Sequence, residues 1–203
     1  MKLALFDLDH TLIPMDSDYA WGQFTVDIGW RDAETHTRAN DAFYEQYKAG
    51  TLDIHEYIRF SVAPLAEHGV DQSDAAHRRF MDEVILPAMR PAAIQLVFQH
   101  QVAGDEVLIV TATNEFVTRP IAHAFGVPEL IAIELERDAA GNPTGEIRGT
   151  PSFREGKVAR VEQWLASRGL SWADVTHSRF YSDCINDLPL LEKVTEPVAT
   201  NPD

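Results

Sequence analysis

The chain has 203 residues, 45% of them hydrophobic, enough apolar material for one large domain or a core with one small insertion. That excludes a largely disordered or fibrous protein. Its 32 acidic against 17 basic residues leave a formal net charge of -15, a field that repels polyanions and argues against a nucleic-acid partner. A single cysteine, Cys184, excludes an internal disulfide. The opening residues meet Asp7 and Asp9 before the apolar run is long enough for a signal peptide. No run of about 18 apolar residues exists to cross a bilayer. The expectation is a cytoplasmic protein with no membrane partner; the sequence says nothing of oligomeric state.

In chain order, Leu3 to Phe6 is a short apolar run without alternation that ends abruptly at acid, the mark of a parallel strand buried on both faces. Residues 14–88 have helical periodicity, many acids and histidines, and no convincing strand. They read as a helical insertion, with Pro87 and Pro91 marking the return. Helices are predicted over Pro91 to Ala103 and over Phe116 to Phe125, the latter closed by Gly126. Between them Val107 to Val110 repeats the buried-strand pattern and runs into Thr111. Leu130 to Glu136 and Gly145 to Gly149 flank a Gly-Asn-Pro turn and predict a hairpin. Ser152 with Glu155 reads as a capping box opening a helix whose Val158, Val161 and Leu165 share a stripe. Arg179 to Tyr181 then runs into Ser182 and Asp183. The fold class is therefore α/β: a doubly wound, Rossmann-like parallel sheet core, residues 1–13 and 89–203, with an inserted α-helical unit, residues 14–88.

Ligands of open parallel sheets bind outside the carboxyl ends of the strands, and Asp7, Asp9, Thr111 and Asp183 all fall at such ends. Like charges about 4 Å apart repel by roughly 4 kcal/mol at an effective dielectric of 20, so the rim calls for a cation. Oxygen donors without paired His or Cys favour magnesium over a transition metal. The histidines are scattered, with no pair at the i, i+4 spacing of a helical metal site, and read as surface or satisfied residues. Trp21, Trp30, Phe24 and the Phe43, Tyr44, Tyr47 group read as core of the helical insertion.

Phe6-Asp7-Leu8-Asp9-His10-Thr11-Leu12 resembles the first motif of the phosphatase branches of the haloacid dehalogenase superfamily. Three further motifs follow in order: Thr111 in Ile-Val-Thr-Ala-Thr, Lys157 in Arg-Glu-Gly-Lys, and Ser182-Asp183-Cys184-Ile185-Asn186-Asp187. The insertion resembles the helical cap of the phosphoserine-phosphatase-like subfamily. In that subfamily a further helix commonly follows the final strand, and this sequence stops at Asp203.

The resemblance implies a magnesium-dependent phosphatase acting on a small-molecule phosphate ester. Asp7 would be the nucleophile that becomes an aspartyl-phosphate, and Asp9 the general acid and then base. Lys157 would neutralise Asp7 and the phosphoryl group. Thr111 with the N–H of Ala112 would hold a phosphoryl oxygen, and Asn186 would help hold the loop. Asp7, the carbonyl of Asp9, and Asp183 would hold the metal, with Asp187 acting through water or by orienting the others.

Caps of phosphoserine phosphatases carry a glutamate for the substrate ammonium and an arginine for its carboxylate. Asp16 takes the glutamate position. The arginine register gives Ser61, with Arg59 two residues earlier, a rotation of about 200° along a helix. This departure points to a leaving group with an amine and no carboxylate, such as histidinol phosphate, held by Asp16 or Asp18. Phosphotransfer to an alcohol is a second enzyme reading. A non-catalytic binding protein is a third, opposed by a complete set of chemical positions.

Overall fold

The computed structural model describes residues 1–200. Strand β1 (Lys2–Phe6) leads into five helical segments: α1 (Ser17–Asp27), α2 (Ala33–Ala49), α3 (Ile54–His68), α4 (Val70–Phe80) and, after a π-helical turn at Met81–Ile85, the short α5 (Leu86–Ala88). Pro91 then opens α6 (Pro91–Val102), where its missing N–H costs nothing. There follow β2 (Glu106–Asn114), α7 (Glu115–Ala124), β3 (Leu130–Ile133), β4 (Leu135–Arg137) and β5 (Pro143–Ile147). The chain continues through α8 (Glu155–Ser167), β6 (His177–Ser182), α9 (Leu188–Leu191) and β7 (Glu196–Ala199).

Five strands form one parallel sheet in the order β3-β2-β1-β6-β7. Winding runs outward from β1 to β3 and then restarts on the other side at β6, so the reversal lies beside β1. Both faces are covered, as the unalternating runs predict. Leu3 and Leu5 enter one core with Leu108, Val110 and Phe180 under α8, while Ala4 and Phe6 enter the other with Ile109.

Three expectations change. Leu130–Ile133 is not a hairpin arm but pairs with β2 in the main sheet; the hairpin exists, narrowed to β4 and β5. Strand β7 was not anticipated, because four residues including Pro197 make a weak strand signal; at a sheet edge a proline is tolerated. Ser152 caps nothing. Its hydroxyl donates to the Thr111 carbonyl at 2.6 Å, and the residue before α8 is Arg154, with φ 53°.

The insertion is wholly helical between β1 and α6, and its interior is continuous with one face of the sheet. Trp21 and Phe24 of α1, Ile58, Val62 and Leu65 of α3, and Phe80 join the cluster that contains Phe6 and Ile109. At its centre the Trp21 ring packs against Phe24, Phe80, His77 and the Phe116 ring of α7. Phe43, Tyr44 and Tyr47 do not belong to this interior. They line a cavity between the insertion and the sheet edge.

Phe80 is fully buried in the shared cluster. Phe80→Ala is therefore expected to destabilise the protein by about 3 to 5 kcal/mol. Because the core is shared, near-UV and far-UV transitions in denaturant should move together.

Candidate active site

The carboxyl ends of β1, β2 and β6 open into a cavity of about 480 Å³, roofed by α1, α2 and α3. Asp7, Asp9, Thr111, Ala112, Lys157, Asp183, Asn186 and Asp187 all line it, so the four motifs converge on one space. Asp16 lines the opposite, helical wall. Arg59 does not reach the cavity: its guanidinium lies on the outside of α3 and pairs with Glu146 of β5 at 2.9 Å. The 200° turn that separates it from position 61 puts it on the hairpin side.

Lys157 is the buried lysine of the site. Its Nζ donates to Asp7 Oδ1 at 2.7 Å and sits 2.6 and 2.7 Å from the two oxygens of Asp187. Burial alone would lower the pKa of this ammonium, but Asp187 and Asp7 hold it above its ordinary value, so the charge is fixed. Position 156 must be glycine for this placement. A Cβ there would stand 1.9 Å from the Pro151 carbonyl oxygen, so α8 starts hard against the preceding loop.

Asp7 is pushed up to about 7, first by burial, with Lys157 opposing and Asp187 adding to the rise. Asp9 is raised well above the carboxylate range, by burial and then by Asp16 and Asp7, which favours its protonated form. Its two oxygens accept from the Ser17 N–H at 2.8 Å and from the Thr113 hydroxyl at 2.8 Å. Asp9 is thus held by the first residue of α1 on one side and by β2 on the other. Thr113 escaped the sequence reading, although alternation from Thr111 places both on one side of the strand. Asn114 escaped too. It ends β2 and caps α7, its Oδ1 accepting from the N–H groups of Phe116 and Val117.

Asp183 is half-buried, raised by that burial, and accepts from the Thr11 hydroxyl at 3.0 Å. Asp187 has no oxygen to spare, since Lys157 and the Ser182 hydroxyl (2.7 Å) engage its carboxylate. Among the described residues no three carboxylate, imidazole or thiolate side chains stand close enough to enclose a metal by themselves. Of the expected set of Asp7, Asp9, Asp183 and Asp187, the last is bonded to Lys157 and Ser182, in line with the orienting role expected as one alternative for it. What remains, two carboxylates with the Asp9 carbonyl, suits a hard divalent ion that keeps waters and takes a phosphate oxygen. Asn186 lines the cavity with its Oδ1 accepting from Arg154 at 3.3 Å. Asp18, expected above as the alternative to Asp16, lines it as well, together with Tyr57 and Arg90, which no motif signalled.

The sequence matches the haloacid dehalogenase-like hydrolase family over residues 4–192. The chain belongs to this family. It is 47% identical, over its whole length and 91% of the relative, to a histidinol-phosphatase from Neisseria meningitidis serogroup C (strain 8013). A crystal structure of a protein of unknown function from Bordetella pertussis Tohama I superposes with a TM-score of 0.93 at 50% identity, covering 100% of this chain and 91% of that one. A substrate-bound phosphoserine phosphatase shares the fold, with a TM-score of 0.68 at 18% identity over 98% of this chain and 85% of that one. This hydrolase is a phosphatase with the phosphoserine-phosphatase-like architecture, and among its described residues no helix is long and apolar enough to span a membrane.

Removing the ammonium from this haloacid dehalogenase-like hydrolase leaves Asp7 and Asp187 buried without their partner. Lys157→Met is expected to cost about 3 to 5 kcal/mol in chemical denaturation. The Asp7 pKa in the folded variant rises further, and a raised folded pKa gives stability that is lost as pH increases. The defect should therefore be larger at pH 8 than at pH 5.

Proposed function

We propose that this chain is a magnesium-dependent phosphomonoesterase that hydrolyses a small amine-bearing phosphate ester, with histidinol phosphate as its substrate, through an aspartyl-phosphate on Asp7. The observation that carries the reading is the unlike bonding of two carboxylates across one cavity, one paired with an ammonium and the other held only by neutral donors. Asp7 is bound to a fixed ammonium, and Asp9, without a cation, is pushed toward its protonated form.

Asp7 attacks phosphorus and the bond from phosphorus to the ester oxygen breaks. The proton of the Asp9 carboxyl passes to the departing alkoxide, which leaves as the alcohol. Asp9, now a carboxylate, takes a proton from water as that water attacks phosphorus, and the bond to Asp7 breaks to release inorganic phosphate. Lys157 lets an anionic nucleophile meet an anionic ester, while Thr111 and Ala112, which line the cavity, would donate to a phosphoryl oxygen through the hydroxyl and the N–H. Magnesium held by Asp7, Asp183 and the Asp9 carbonyl would supply the remaining positive charge.

Three features support the choice of substrate. The relative at 47% identity is a histidinol-phosphatase. No arginine of α3 faces the cavity, because Arg59 pairs with Glu146 and position 61 is a serine. Phe43, Tyr44 and Tyr47 give the roof flat aromatic faces that suit an imidazole ring. One residue favours phosphoserine instead: Arg90, on the cavity lining, is a guanidinium within the site that a carboxylate would need.

Two measurements test the proposal. The histidinol phosphate reading expects a kcat/KM at least tenfold above that for phosphoserine with magnesium present, and the reverse preference ends it. Asp7→Asn keeps the side-chain shape and removes the nucleophilic charge. It should lower kcat at least a thousandfold, about 4 kcal/mol in barrier, and abolish acid-stable labelling of the protein by phosphate.

A further inference from the structure

The roof holds two acids, Asp16 and Asp18, and the structure separates their duties. Asp16 precedes α1 in an extended conformation, and its Oδ1 accepts from the Tyr19 N–H at 2.8 Å, so it is engaged as the cap of that helix. Asp18, two residues on, lines the same cavity but is 6% exposed, and its Oδ2 is shut off from solvent with no hydrogen-bond partner.

Its other oxygen is held by a neutral group. Asn114 Nδ2 donates to Asp18 Oδ1 at 3.4 Å, and the amide orientation is fixed because Asn114 Oδ1 caps α7. The nearby cation of the helical unit, Arg31, is engaged elsewhere: its guanidinium donates to the carbonyls of Phe60 and Ser61 and contacts His36. A buried carboxylate with no cation costs stability unless something charged arrives to pair with it. In keeping with that cost, burial pushes Asp18 up to about 7.

The Tyr57 phenol stands beside it on the cavity lining, its pKa raised by burial and by Asp18; this neutral hydroxyl and the more distant Arg31 only partly oppose the rise that burial imposes on Asp18.

We infer that Asp18, supported by Tyr57 and Asn114, is the specificity-determining counter-ion for a primary ammonium on the leaving group, and that Asp16 is not. This rests on the cavity being the phosphatase site described above, and it extends that reading by moving the ammonium subsite to a position no motif marks. Binding of an aminoalkyl phosphate then supplies the missing cation, so a group that destabilises the empty roof selects the ester that fills it.

The test compares kcat/KM for histidinol phosphate with that for its deamino analogue, and for phosphoethanolamine with ethyl phosphate. The wild type should favour the amine of each pair by a hundredfold or more. Asp18→Asn should lower that ratio at least tenfold, while Asp16→Asn, which can still cap α1, keeps it within threefold. Asp18→Asn should also raise the melting temperature of the ligand-free protein, a shift that a merely structural acid would not give. If the asparagine variant does not fold, Asp18→Ser carries the same ratio.

An Asp18-dependent amine preference with phosphoethanolamine, but no turnover of histidinol phosphate, would end the substrate reading and leave Asp18 assigned. No amine preference in the wild type, an unchanged ratio in Asp18→Asn, or a loss that follows Asp16 instead would overturn the inference.

Discussion

Negative charge crowds the carboxyl edge of the sheet, and one buried ammonium answers it. Asp7, Asp9, Asp183 and Asp187 line one cavity, and each like-charge contact at about 4 Å costs several kcal/mol at protein-like dielectric. Lys157 bonds two of them at once, and the start of α8 is arranged around that duty, down to a glycine that admits the Pro151 carbonyl. The other two acids are held by neutral donors: a helix N–H and a threonine hydroxyl for Asp9, and the Thr11 hydroxyl for Asp183. The difference between these environments divides the labour. Lys157 opposes the rise that burial imposes on Asp7, and nothing cationic opposes it at Asp9.

The same bonds join the helical insertion to the sheet. Asp9 accepts from Ser17, the first residue of α1, so an acid of the sheet edge and the roof share a hydrogen bond. Asn114 repeats this on the other side, capping α7 with one atom and reaching Asp18 with another. The polar centre therefore also fixes how the two layers meet.

Much of this was legible in the sequence, for identifiable reasons. Strands β1, β2 and β6 were read because strands covered on both faces must be apolar without alternation, and the acids that end them announce the sheet edge. Asp7, Asp9, Thr111 and Asp183 lie within a few positions of those ends, so their convergence follows from the strand order, while Lys157 arrives from the first turn of α8. What was illegible depended on distant pairings. Nothing local tells Leu130–Ile133 to leave the hairpin for β2, or Ser152 to bond the Thr111 carbonyl instead of capping α8. Arg59 turns outward because a hairpin some ninety residues later places Glu146 beside it, and the carboxylate of Asp187 is engaged by Lys157 and Ser182. The Phe43, Tyr44 and Tyr47 group reads as core by composition, and only the tertiary placement of α2 makes it a cavity wall.

The aromatic cluster around Trp21 bears on how firmly the two layers are joined. Trp21, Phe80 and Phe116 pack across the seam between insertion and sheet, and parting them would wet a large apolar area at roughly 25 cal/mol per Å². On the α2 side the layers touch through groups that water can replace, including the Tyr47 hydroxyl 2.8 Å from the Cys184 sulfur. One flank of the enclosure is thus welded and the other merely fastened. Separating the layers on the α2 side would cost less than on the Trp21 side.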